Sequence, residues 1–161
     1  MTSTARISSI NLSTGGVPKH PIPEATVTVL GLEGDGHRDT EHHGGLDRAL
    51  CLFSIEVIQA LTAEGHTLEP GSLGENVTLE GVAWDRVLPG ERFRLGDQVV
   101  VEVTRYTSPC VNIRASFVGH EYSRVSQKRH PGWSRVYARV LATGAIRQGD
   151  PVVHLPPARD Q

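Results

Sequence analysis

Cysteine is scarce in this chain, with Cys51 and Cys110 the two thiols in 161 residues. Two thiols cannot build a disulfide scaffold, a four-cysteine zinc site or an iron–sulfur cluster. Any redox chemistry must therefore draw its electrons from another protein. No apolar run approaches the ~20 residues that a membrane-spanning helix needs. The first sixteen residues are polar and lack the apolar core of a secretory leader, so cytoplasmic residence and no membrane contact are expected. Aromatic residues are sparse at 5%, and the formal net charge of −2 does not point to nucleic acid. There is no repeat of fixed period, no low-complexity tract and no linker. One domain spanning 1–161 is expected, with a core over about 5–155 and a frayed tail at 156–161.

Charge is spread unevenly. Arg105, Arg114, Arg124, Lys128, Arg129, Arg135 and Arg139 face a single acid in that stretch, Glu121, while the region from Glu24 to Asp97 is acidic in compensation. Such asymmetry marks either an anion-binding surface or a solvated basic face.

Short segments rich in valine, isoleucine and threonine recur between Gly, Pro and Asp. Strands are expected over 6–12, 25–31, 48–53, 76–79, 92–95, 99–104, 136–141 and 152–155. Ser54 is placed to cap a helix over 55–63, with Glu56 in its first turn and Gly65 just past its end. One short helix is expected within 112–131. Many short strands, few helices and no βαβ alternation predict a mainly β fold, a mixed, closed or nearly closed β-barrel with a few short helices.

Three polar clusters carry chemistry. The run Gly34-Asp35-Gly36-His37-Arg38-Asp39-Thr40-Glu41-His42-His43-Gly44-Gly45-Leu46-Asp47-Arg48 holds three histidines, four carboxylates and four glycines. It reads either as a divalent-metal loop, for a hydrolase or isomerase, or as a glycine-rich loop whose amides hold an anion. Its spacing matches no helical metal motif, which favours the second. Pro70-Gly71-Ser72-Leu73-Gly74-Glu75-Asn76 reads on its own as a turn with an Asx contact. In Arg105-Tyr106-Thr107-Ser108-Pro109-Cys110 a cysteine follows the strongest strand and sits near arginine, a setting suited to thiolate chemistry. Cys51, inside an apolar strand, reads as a small buried hydrophobe.

In this order the clusters resemble the MOSC family, named for the C-terminal domain of molybdenum-cofactor sulfurases. The matching residues are Gly34-Asp35, His43-Gly44-Gly45, Asp47-Arg48-Ala49, Gly74-Glu75-Asn76, Leu95-Gly96-Asp97 and Ser108-Pro109-Cys110. Ala138 through Leu141 and Gly149-Asp150 close the match. The resemblance implies a barrel that binds the molybdenum–pterin cofactor, with Cys110 as the catalytic residue and the sulfur ligand to molybdenum. Arg48, Arg105, Lys128 and Arg129 are then candidates for its phosphate, with Gly44, Gly45 and Gly74 letting the backbone approach. His43, Asp47, Glu75, Asn76 and Ser108 become candidate cofactor contacts or supports.

The implied activity is reduction of a small N-hydroxylated substrate, with a flavin or iron–sulfur reductase docking transiently as electron donor. The rival is a carrier of the cofactor, or of sulfur as a Cys110 persulfide. Pyridoxal phosphate, which belongs to the sulfurases' aminotransferase-like domain, is not expected. The chain departs from the family pattern at Val111-Asn112-Ile113, where an aromatic and a basic residue are usual. It also has Arg48 where lysine is common, and it stops short of the helical segment that larger relatives carry.

Overall fold

The computed structural model describes residues 4–36 and 46–156. Alternation drives the strands. In β7 (Arg92–Leu95) and β8 (Val99–Tyr106), Phe93, Leu95, Val99, Val101 and Val103 are buried while Arg94 and Arg105 face out. That period of two is what a sheet covered on one face requires. With β1 (Ala5–Leu12), β5 (Leu50–Ser54), β6 (Val77–Glu80), β9 (Val136–Ala142) and β11 (Pro151–Leu155), these strands form one sheet. Its order is β11-β7-β8-β9-β5-β6-β1, and β1 pairs back onto β11 to close a barrel of seven strands.

The pairs β5 and β6 run parallel, so the chain must cross over between them. Helix α1 (Ile55–Ala63) lies in that crossover, and Val57, Ile58 and Leu61 are buried on one side of it. The Ser54 hydroxyl accepts from Val57 N at 3.2 Å, and Gly65 takes up φ +105 just past the end. Every residue of β5 is buried, Cys51 among them, because this strand is covered on both faces. Phe53, Leu50, Leu52 and Leu79 fill the interior with Ile7 and Phe93.

Three short strands, at residues 20–22, 31–32 and 144–147, are not expected as separate strands from the sequence. β2 (His20–Ile22) pairs with β1, and β10 (Gly144–Arg147), β3 (Glu24–Thr28) and β4 (Gly31–Leu32) form a small second sheet. The expected strand over 25–31 is in fact a hairpin. The Thr28 hydroxyl accepts from Leu30 N at 3.1 Å and donates to Gly31 O at 3.0 Å, which turns the chain at Val29 and Leu30. Arg48 belongs to a 3-10 turn, Leu46–Arg48, and not to β5. The single helix expected within 112–131 is replaced by three 3-10 turns, Val111–Ser116, Val118–His120 and Tyr122–Val125. Ile113, Phe117 and Val125 pin them to the core, while Gly119 at φ +65 and His120 at φ +59 prevent one continuous helix. Among the described residues no helix is long and apolar enough to cross a membrane.

Candidate functional site

Loop 71–76, ahead of β6, is not a plain turn. Gly71 takes up φ +90, and a Cβ there would lie 2.2 Å from Lys19 O, so the backbone of residue 19 can come this close only to a glycine. At Gly74 the atom within reach of a Cβ is Val17 Cγ1 at 2.7 Å. The segment that leads into β2 thus presses on this loop, and Lys19 N donates to Gly71 O at 2.8 Å.

Asn76 ties the loop to the barrel. Cys51 N donates to its Oδ1 at 3.0 Å, and its Nδ2 donates to Asp35 Oδ2 at 2.9 Å. Asp35 also receives Lys19 Nζ at 2.6 Å and Ser13 N at 3.1 Å. The Lys19 and Asp35 side chains are only 8% and 2% exposed. One buried ion pair and one amide therefore bind four segments: 13–19, the start of the glycine-rich loop, β5 and loop 71–76. Behind them Asn11 donates to Glu75 O at 3.2 Å and to the Thr78 hydroxyl at 3.1 Å.

The two cysteines occupy different worlds. Burial pushes the Cys51 thiol up to about 12, against the pull of Arg135, so it holds its proton and stays inert. Cys110 is only half-buried, in the loop after β8, where it opens the turn Val111–Ser116. Tyr137 of β9 lies opposite Cys51 across the β5–β9 pair. Burial, then Cys51, drives its phenol up to about 12, with Arg135 and Arg48 pulling down and Cys110 adding a smaller push upward. The Arg48 guanidinium lies 5.6 Å from the centre of the Tyr137 ring, and Arg105 pairs with Tyr137 across β8 and β9. Cys110, Tyr137, Arg48 and Cys51 therefore share one region of the barrel.

Arg135 and Glu75 lie beneath. Arg135 is buried and donates to Leu73 O at 2.6 Å, yet its Nε has no partner. Glu75 is wholly buried and neither carboxylate oxygen meets a donor in hydrogen-bonding geometry. Burial raises its pKa to about 7, outweighing the pull of the nearby amides of Glu75 itself, Gly71 and Leu73 and of Arg135. The folded chain thus holds this proton more tightly than the unfolded chain does. The stability it contributes is whole below pH ~4.5 and is lost as pH rises to about 7. Glu75→Gln is expected to flatten that slope, so its urea midpoint gains on wild type as pH passes from 5 to 8. Parallel pH curves for the two proteins would contradict the assignment.

The other sequence candidates are dispersed. Thr104 donates to Asp47 O at 2.6 Å, and the Asp47 carboxylate pairs with Arg139 at 3.4 Å. Ser108 and Arg105 are exposed, as are Lys128 and Arg129 on the turn that follows Tyr122–Val125. No described contact joins Lys128 or Arg129 to Cys110. His43, Gly44 and Gly45, and with them the metal reading of the 37–43 loop, lie outside the described residues. Among the described residues no three His, Cys, Asp or Glu side chains gather as a metal site. Sequence reasoning missed Lys19, Arg135 and Tyr137. Lys19 had no signal, whereas an arginine directly before an apolar strand is a detectable oddity.

The MOSC domain pattern matches residues 39–153. The chain belongs to the MOSC domain family. This MOSC chain is 32% identical over 136 residues to the uncharacterized protein YflK of Bacillus subtilis, covering 83% of itself and 60% of that protein. It is 29% identical over 134 residues to protein YiiM of Escherichia coli, covering 80% of itself and 58% of that protein. A protein of Gibberella moniliformis named Reductase is 29% identical over 130 residues, 78% of this chain and 22% of that one. The chain thus spans less than two thirds of these relatives' lengths. Among solved structures, YiiM from Geobacillus stearothermophilus superimposes with a TM-score of 0.73 at 26% identity, over 94% of this chain and 75% of that one. YiiM from Escherichia coli gives 0.70 at 25%, over 96% and 72%. MOSC domains are associated with the molybdenum cofactor.

Proposed function

We propose that this MOSC chain binds the molybdenum cofactor through Cys110 and, in the cytoplasm, reduces small N-hydroxylated compounds with electrons from a separate reductase. The observation that carries this reading is the contrast between the thiols. Cys51 is sealed in β5 with its proton held, so Cys110 is the accessible soft ligand, half-exposed and within electrostatic reach of Tyr137.

The residues present fit such a group. A pterin offers N–H donors and ring acceptors, and the region holds an unmet carboxylate at Glu75 and an unmet Nε at Arg135. When bound, the cofactor supplies the two-electron oxygen chemistry, which the side chains alone cannot. The chain's own residues hold and orient. Cys110 Sγ would hold the metal. The guanidiniums of Arg48 and Arg105 would take the cofactor's phosphate. Asn76, fixed by Asp35 and Cys51 N, would keep loop 71–76 in register beside the cofactor. Tyr137 fixes where Arg48 lies.

The name Reductase carried by the Gibberella relative supports the reading. The test is turnover: cofactor-loaded protein, an amidoxime and chemically reduced viologen should give amidine. Stoichiometric cofactor with no turnover on amidoximes or hydroxylamines would refute catalysis and turn the reading to a carrier.

A further inference from the structure

A cleft of about 310 Å³ opens where α1 meets the loop after β6 and the turn 131–133, part of the excursion between β8 and β9 that carries Cys110. Three distant stretches of chain build it. Ala60 of α1 puts only a methyl group on its wall, and Gly132 lets the turn pass close to Asp85. The φ of Gly132 is +91, and a Cβ there would lie 3.2 Å from Asp85 Cβ. Cys110, Tyr137 and Arg48 do not line the cleft.

The lining joins indole to carboxylate. Both tryptophans of the chain, Trp84 and Trp133, lie on it. Trp84 is buried edge-on against Phe53, with ring centres 6.2 Å apart, and its Nε1 donates to Ser134 O at 2.7 Å. That indole is therefore fixed and offers the cleft apolar surface. Trp133 is held by the Arg124 guanidinium, 4.0 Å from its ring centre, and Arg124 is matched by two bonds to Glu64, at 2.9 and 2.7 Å.

Two exposed acids, Glu56 and Asp85, line the cleft, and no lysine, arginine or histidine does. Gly81 N donates to the two Glu56 oxygens at 3.2 and 3.3 Å, which sets that carboxylate in place. The Asp85 carboxylate has no partner among the described residues. Apolar walls with a few placed polar groups are the anatomy of a small-ligand site, and indole beside uncompensated carboxylate selects positive charge.

We propose that this cleft binds a small organic cation, an ammonium group on an apolar body, at a site separate from the Cys110 region. Its volume lies at the low end of the ~300–1,000 Å³ usual for ligand sites, which limits the occupant to a small molecule. Arg48 and Arg105 give the Cys110 region the opposite sign, so the two sites sort ligands by charge. The proposal does not depend on the reductase reading.

The experiment titrates the full chain with phenethylammonium and, separately, with its uncharged near-isostere 2-phenylethanol. Because both tryptophans line the cleft, the two indole N–H signals in an NMR spectrum report on it directly. Phenethylammonium should shift them saturably and bind roughly fivefold or more tightly than the alcohol. Asp85→Asn should erase that preference and leave the alcohol's affinity and the thermal midpoint as in wild type. Ala60→Leu, which fills the cleft while keeping a good helix former, should weaken both probes.

No shift of either indole signal up to ~10 mM phenethylammonium, weaker than any specific site of this size, overturns the proposal. So do equal affinities for the two probes in wild type, or an Asp85→Asn chain that keeps the preference. Shifts caused by an oligolysine peptide and by neither small probe would give the cleft to a protein partner and overturn the small-molecule assignment.

Discussion

Replacing Cys110 by serine is expected to remove molybdenum from protein expressed in a cofactor-producing host, and turnover with it, while leaving the thermal midpoint close to that of wild type. Cys110 is half-buried and its side chain makes no described hydrogen bond, so the barrel owes it little. A serine hydroxyl is a harder donor and a far weaker acid than a thiol, and it does not replace a thiolate on a metal that prefers sulfur. Cys51→Ser should behave in the opposite way. It puts a hydroxyl into a buried, apolar strand, so stability falls by about 1–3 kcal/mol and bound molybdenum per folded chain is unchanged. Metal analysis and urea melts of the two variants separate a ligand from a packing residue.

The second large effect falls on stability. Lys19→Met leaves Asp35 almost fully buried without its cation, at a cost of about 3–5 kcal/mol by analogy with other broken buried pairs. The bonds from Asn76 Nδ2 and Ser13 N soften that cost, which favours the lower end. Lys19→Met/Asp35→Asn removes the stranded charge and should recover a good part of the loss. Denaturant melts of the single and double variants close a cycle. If the single variant melts like wild type, the ion pair does not hold the four segments together.

The barrel was legible because its strands obey local rules. Val99 to Thr104 alternates cleanly, Ser54 and Gly65 bracket α1, and each of these lies where local chemistry puts it. The elements that escaped notice owe their form to distant contacts. β2 exists because loop 71–76 accepts the backbone of residue 19, and β4 because one threonine hydroxyl reverses the chain. In the Cys110 excursion buried apolar residues set the path and two positive-φ residues break it, which periodicity alone does not reveal.

The site divides in the same way. Cys110 was distinguishable from Cys51 by the strand context of each. Asn76 was visible only as part of a resemblance, and its bonds to Asp35 and to β5 span 41 and 25 residues of chain. Lys19 lies in a polar stretch with nothing to mark it as buried. Its partner appears only once the barrel closes and brings residues 13–19 against Asp35. The role expected of the four exposed or half-exposed arginines and lysine also divides on folding: Arg48 lies over Tyr137, whereas Lys128 and Arg129 stand on a surface turn.

The measurement that bears most directly on the central claim is X-ray absorption at the molybdenum edge of cofactor-loaded wild type and of Cys110→Ser reconstituted in vitro with excess purified cofactor. Binding through Cys110 predicts one more sulfur neighbour in wild type than the pterin dithiolene supplies, and its loss in the variant. An identical sulfur shell in both proteins would contradict it.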